Sequence, residues 1–240
     1  MKAMRKKSFA AFLALALLVL VLSSCTFDGS GTQQSPSSQD SQESLDQESS
    51  SSESEAQEPA EEDIKGEWKG DVYTNRYLNL SFALPEGWTA ASDEEMLEMM
   101  DLGSELMDNE AGLVSELLKV KVVYNMMAAD NTTGNNIIVS MENLALTVGG
   151  TSIDEEAYAE AVAAQLQAVD NLHYTIGERS QVEIAGETFL KAPVTMEADG
   201  VTLEQAYYLR RVGKYMAILM VSDADNTGVD TLASYFSAAQ

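Results

Sequence analysis

Few residues in this chain have both the type and the company that chemistry needs. Cys25 is the single cysteine and His173 the single histidine in 240 residues. A zinc or iron site of the His/Cys kind therefore does not assemble within one chain. Met96, Met99, Met100, Met107, Met126, Met127 and Met141 could suggest a soft site for Cu(I). Their helical spacing fits gap-filling core methionine better. Asp223, Asp225 and Asn226 lie together, as do Asp130 and Asn131. Neither group matches the EF-hand loop, and both fit capping and turn chemistry. The domain has no Gly-x-Ser-x-Gly elbow and no Ser-x-x-Lys, and the chain has no glycine-rich phosphate cradle. Paired carboxylates are abundant, but nearly all fall on the outer faces of predicted helices, which argues against a glycosidase pair. No catalytic residue, no metal and no cofactor is expected.

One cluster could instead make contacts. Arg210, Arg211 and Lys214 crowd a predicted hairpin turn, with Tyr207 and Tyr208 just before it and Tyr215 just after. Arginine and tyrosine are enriched at binding hot spots, and a positive tip on a negative body would orient an acidic partner. Arg210, Arg211, Lys214 and Tyr208 are thus the expected partner-binding residues. The competing reading is that charges simply favour turns and that one tyrosine of each pair faces the core.

The other reactive position is Cys25. Lys2, Arg5, Lys6 and Lys7 precede an apolar run from Phe9 to Leu22. That run has the length of a signal-peptide core and is short of the roughly 20 residues of a spanning helix. Leu22-Ser23-Ser24-Cys25 resembles the bacterial lipobox, which implies cleavage after Ser24 and a diacylglycerol on the Cys25 thiol. The alternative is an ordinary secretory signal with a chance cysteine, which would leave a lone reactive thiol. Lipidation would place the protein outside the cytoplasm, anchored to the membrane through Cys25.

Residues 26–63 contain no lysine or arginine and include the run Ser49 to Ser52. Such a segment buries too little apolar surface to offset its chain entropy, so a disordered linker over residues 25–65 is expected. The chain carries a formal charge of −25, and −29 once the four basic residues of the leader are removed. Nucleic acid is excluded as a partner on that balance. An envelope protein or a cell-wall component remains.

From residue 66 the patterning is that of one α+β domain running to residue 240. Val72 to Asn75 and Leu78 to Leu84 read as strands, the second by strict alternation, closed by Pro85-Glu86-Gly87. Ser92 and Glu95 form a capping box for a helix from Asp93 to at least Met107. Val122 to Ala129 and Asn136 to Asn143 are strands. Ser152 and Glu155 suggest a second capping box, for a helix from about Asp154 to Asp170 with Tyr158, Ala161, Val162, Leu166 and Val169 inward. Four strands follow, about Tyr174 to Ile184, Thr188 to Met196, Thr202 to Arg211 and Tyr215 to Ser222, with Ala185-Gly186, Asp199-Gly200 and Gly213 as turns. Tyr215 to Val221 is apolar throughout and reads as a central strand. A helix from about Asp225 to Ala238 closes the chain, with Val229, Leu232, Tyr235 and Phe236 inward. Hairpins dominate, which predicts a mainly antiparallel sheet flanked by helices.

The run Tyr73-x-Asn75-x-x-Leu78-x-Leu80-x-Phe82-x-x-Pro85-x-Gly87-Trp88 resembles the opening of bacterial lipoprotein domains with the PsbP/Mog1-like fold. The resemblance implies an αβα sandwich over residues 70–240. It carries no residue set for a function, because the motif is structural: strand, proline turn, aromatic plug. Three functions remain open. One is a non-catalytic binding module shown on the envelope. A second is a small-ligand or ion carrier with a pocket between sheet and helix. The third is an enzyme with an unrecognised site, which a buried carboxylate in such a cleft would favour.

Overall fold

The computed structural model describes residues 64–98, 121–147, 149–169, 172–198 and 200–240. The leader, Ser24, Cys25 and residues 26–63 lie outside these. So do the predicted helix beyond residue 98, with Met99, Met100 and Met107, and Asp199 of one predicted turn.

The centre is an eight-stranded antiparallel sheet. Its strands are β4 (Trp88–Ala90), β5 (Val122–Asp130), β6 (Asn136–Asn143), β7 (His173–Ile176), β8 (Ser180–Ile184), β9 (Glu187–Ala198), β10 (Val201–Val212) and β11 (Tyr215–Asp223). They run in the order β4-β5-β6-β11-β10-β9-β7, and β8 also pairs with β9. The apolar run of β11 behaves as expected: the strand lies between β6 and β10, and all nine of its residues are buried. Because strand side chains alternate, Tyr215, Ala217, Leu219 and Val221 supply one core while Met216, Ile218 and Met220 supply another on the opposite face.

Helix α1 (Glu155–Gln167) covers the second of these faces and buries Tyr158, Ala159, Val162 and Leu166. Ala159 therefore takes the inward place expected of Ala161. The cap is Asp154, whose side chain accepts the Ala157 amide, and not Ser152, which lies in a short 3₁₀ turn. The box at Ser92 does form: the Glu95 carboxylate accepts the Ser92 amide and the Ser92 hydroxyl accepts the Glu95 amide. Residues 93–98 are helical, and Met96 joins the α1-side core.

The other face is covered by a second sheet, which the sequence patterning did not show. It consists of β1 (Glu67–Lys69), β2 (Val72–Asn75), β3 (Leu80–Ala83) and β12 (Phe236–Ser237), in the order β1-β2-β3-β12. Tyr73, Leu80, Phe82, Trp88 and Phe236 fill the space between the sheets. A polar hub ties the two together. A register shift between Tyr124 and Met126 marks a bulge in β5, where the buried Asn125 side chain accepts hydrogen bonds from the Gly66 amide, the Tyr73 hydroxyl and the Asn75 amide group. Glycine is required at 66, since a Cβ there would collide with the Tyr73 ring.

Three predicted elements differ in extent. The strand expected from Leu78 begins at Leu80, because Asn75 turns back to accept the Leu78 amide and Asn79 adopts a left-handed conformation, φ 57°. The strand expected over Tyr174 to Ile184 is split into β7 and β8. Ile176 pairs with Val194 and Ser180 with Lys191, so residues 177–179 face only Ala192 and Pro193, and one residue is bulged. The closing helix is reduced to α2 (Val229–Ala233), followed by β12, which pairs with β3. Val229 and Leu232 are buried as expected, but Tyr235 is exposed. The architecture is α+β: antiparallel sheet flanked by helices.

Candidate binding groove

Helix α2 lies over the β-sandwich side of the main sheet and leaves a groove between itself and the β8–β9 hairpin. The groove has a volume of about 370 Å³; Val182, Glu183, Ile184 and Ala185 line one side, Ala233, Ser234 and Phe236 the other, and it reaches Tyr208 and Asp230. The register explains the polar end. Lys191 of β9 lies opposite Tyr208 of β10, and Asp230 comes from the first turn of α2. The Lys191 ammonium donates to both oxygens of the Asp230 carboxylate, at 2.7 and 2.6 Å, and the Tyr208 hydroxyl donates to one of them at 2.8 Å.

Electrostatics fixes the protonation of Asp230 and Tyr208. Burial alone would push the Asp230 carboxyl up, but hydrogen bonds from Lys191 and Tyr208 and the Lys191 charge outweigh it and hold the carboxyl below its ordinary value. Burial pushes the Tyr208 hydroxyl well above its ordinary value, and the hydrogen bond to the neighbouring carboxylate and its charge add to the shift. Asp230 is thus a carboxylate and Tyr208 a neutral phenol, and each member of the triad is bonded to another. Nothing in it is poised as a nucleophile or general base.

Of the expected partner-binding residues, the structure places only Tyr208 here, and the side chain is 1% exposed. The other three do not gather into one tip. Adjacent strand residues point to opposite faces, and the arginines do so. Arg210 reaches toward the second sheet, donating to the Leu78 carbonyl, pairing with Glu187 at 2.7 Å and lying over the Phe189 ring. Arg211 reaches toward α1 and donates to the Ile153 carbonyl, while its own amide donates to Glu155. Lys214 stays at the turn, over the Tyr215 ring.

Two charged residues that sequence reasoning passed over form a separate centre. Glu142 of β6 is fully buried on the α1 side. It pairs with Lys121 at 2.7 Å and accepts the Tyr158 hydroxyl at 2.5 Å and the Thr147 hydroxyl at 3.4 Å. Burial, then the Glu142 charge, pushes the Tyr158 hydroxyl well up, so it remains a donor. The available signal was a single acid in a strand of otherwise uncharged residues. This carboxylate is saturated by partners and lies outside the groove, which makes it a structural ion pair.

The remaining candidates resolve into local structure. Asp223 accepts the amides of Asp225, Thr227 and Gly228, and Asp225 accepts from Asn135 and Thr227. Asp130 accepts the Thr132 amide in its own turn. Met126 and Met141 enter one core while Met96 and Met127 enter the other, so these four do not converge. His173 is exposed at the start of β7. Among the described residues no group of His, Cys, Asp or Glu side chains could hold a metal ion. No described helix is long and apolar enough to cross a membrane.

The sequence matches no protein-family model and no curated protein. Three solved structures are similar in architecture. Cyanobacterial PsbP (CyanoP) from Synechocystis sp. PCC 6803 is 10% identical with a TM-score of 0.44, over 72% of this chain and 98% of that one. A protein from Bacteroides thetaiotaomicron VPI-5482 is 10% identical with a TM-score of 0.36, over 72% of this chain and 50% of that one. LpqN of Mycobacterium tuberculosis, described as involved in cell envelope biogenesis, is 9% identical with a TM-score of 0.37, over 67% of this chain and 83% of that one.

Proposed function

We propose that this chain is an envelope lipoprotein, held to the membrane by lipid on Cys25, that displays a non-catalytic PsbP/Mog1-like binding domain on an acidic linker. The groove between β8 and α2 is its contact surface. The observation that carries this reading is the closed Lys191–Asp230–Tyr208 triad. With the triad's members engaged with one another, the groove offers an apolar floor bordered by Glu183 and Ser234 for contact, and the triad supplies no activated group for chemistry. The Leu22 to Cys25 run supports the anchor, and the Tyr73 to Trp88 run supports the domain type.

A groove of about 370 Å³ also falls near the low end of small-ligand pockets. That volume favours a second reading, a carrier of a small ligand. A photo-reactive residue in place of Ser234, at the groove, separates the two in living cells. The binding module gives a discrete protein adduct there and none from the same residue at Glu160, on the outer face of α1. A carrier gives no protein adduct at either place. For the anchor, the wild-type chain should partition into the detergent phase and Cys25→Ala into the aqueous phase.

A further inference from the structure

Among the described residues the wall of the groove is also an outer sheet edge. Among the described residues β8 pairs with β9 alone. Ile184 and Glu187 flank the two-residue turn Ala185-Gly186, in which both residues have positive φ, 56° and 81°. In such a hairpin the flanking pair exchanges both hydrogen bonds, and the pattern then alternates. Ser180, Val182 and Ile184 therefore bond to β9, while Gln181 and Glu183 direct their N–H and C=O groups outward. The side chains alternate too. Val182 lies beside Phe189 and Ile184 is buried on the groove side. Gln181 and Glu183 are exposed and by alternation their side chains lean to the other face, with Glu183 still bordering the groove.

The geometry points to β8 as the docking edge for an extended partner segment of alternating apolar and basic residues, added as a further strand. This rests on the groove being the contact surface. Strand addition takes affinity from main-chain bonds and specificity from alternate side chains. Here the outward groups of Gln181 and Glu183 supply the main-chain bonds. An added strand places every second side chain over the groove, beside Val182, Ala185 and Phe236, where an apolar residue fits. The intervening side chains fall on the face of Glu183, where cross-strand pairing favours a basic residue. The charge of −25 on the chain acts in the same direction. The bulge at 177–179 limits the docking edge to β8 itself.

The probe is a fluorescent octapeptide of alternating valine and arginine, titrated into the full chain purified in detergent and read by anisotropy. Its control is a peptide of the same composition with the valines and arginines in two blocks. The alternating peptide should bind at least tenfold more tightly than the block peptide. Gln181→Pro removes an outward N–H without touching the β8–β9 ladder, and should weaken binding at least tenfold with an unchanged circular dichroism spectrum. Glu183→Lys leaves the backbone intact, and should turn the preference toward a valine–glutamate peptide. Equal binding of the alternating and block peptides, or wild-type affinity in both variants, overturns strand addition. If that result accompanies a protein adduct at Ser234, the binding module stands and only the docking mode falls. If no adduct forms either, the module falls with it.

Discussion

Lys121→Met should be among the most damaging single changes that leave the apolar core untouched. The Lys121 side chain is 11% exposed and that of Glu142 is 0% exposed. Removing the Lys121 side-chain charge strands a carboxylate that water cannot reach, with the Tyr158 and Thr147 hydroxyls as its remaining donors among the described residues. Breaking a buried pair from one side costs about 3–5 kcal/mol. Glu142→Leu works from the other side. It orphans the Tyr158 hydroxyl at about 1–3 kcal/mol, while the longer lysine at the rim can turn to solvent. Changing both removes the charges together, and a buried pair replaced by apolar side chains is often neutral within about 1 kcal/mol. The double-mutant cycle should therefore show a coupling of at least about 2 kcal/mol. Urea unfolding at neutral pH measures all four corners, provided the slope m is unchanged. A loss below about 1 kcal/mol for Lys121→Met, or costs that simply add in the double variant, would refute the buried-pair reasoning.

Further outcomes follow from the same structure. Trp88 is 9% exposed and packs on Phe82 and Tyr235 with ring centroids 6.3 and 6.1 Å away, so Trp88→Ala should cost about 3–5 kcal/mol in the same urea assay. Ala185 holds φ 56° in the β8–β9 turn. Ala185→Gly should relieve about 1–2 kcal/mol of left-handed strain against about 0.5–1 kcal/mol of added chain entropy, and so raise the unfolding midpoint slightly. Burial raises the hydroxyls of Tyr73, Tyr124, Tyr158, Tyr207 and Tyr208 well above their ordinary value and pushes Tyr174 up to about 12. Their folded values exceed the unfolded one near 10, so the stabilisation they carry is complete below about pH 10 and is lost as pH rises beyond it. Tyrosinate absorbance at these six should appear together with alkaline unfolding, and independent titration near pH 10 would contradict their burial.

The long strands were legible because their residue pattern and their environment agree. Tyr215 to Val221 is apolar at every position and is covered on both faces. Ser92 and Glu95 announced a cap that forms with both bonds in place. What failed to show depends on distant partners. The break between β7 and β8 lies across the ladder from Pro193, whose ring would be 2.8 Å from a Cβ at position 177, so that only glycine fits there without a shift. The last helix starts late because Asp223 gathers the amides of residues 225, 227 and 228 into a turn, and Gly228 at φ 96° delays the first helical turn. β12 has two residues and no pattern of its own; Phe82 of β3 supplies its place. The groove was equally hidden, since it joins β8 to an α2 residue, Asp230, through Lys191 and Tyr208. Arg210 and Arg211 show the reverse case: neighbours in sequence suggest one cluster, but alternation on a strand sends them to opposite faces.

Hydrogen exchange at the β8 edge tests the central claim most directly. The peptide spanning residues 178–185 carries the outward amides of Gln181 and Glu183, which lack a strand partner among the described residues. Its exchange should be compared by mass spectrometry for the full chain in native envelope membranes and for the same chain purified in detergent. A binding module engaged through this edge predicts exchange of those amides slowed at least tenfold in the envelope, with the exposed face of α1 unchanged. Equal rates in the two preparations would contradict it.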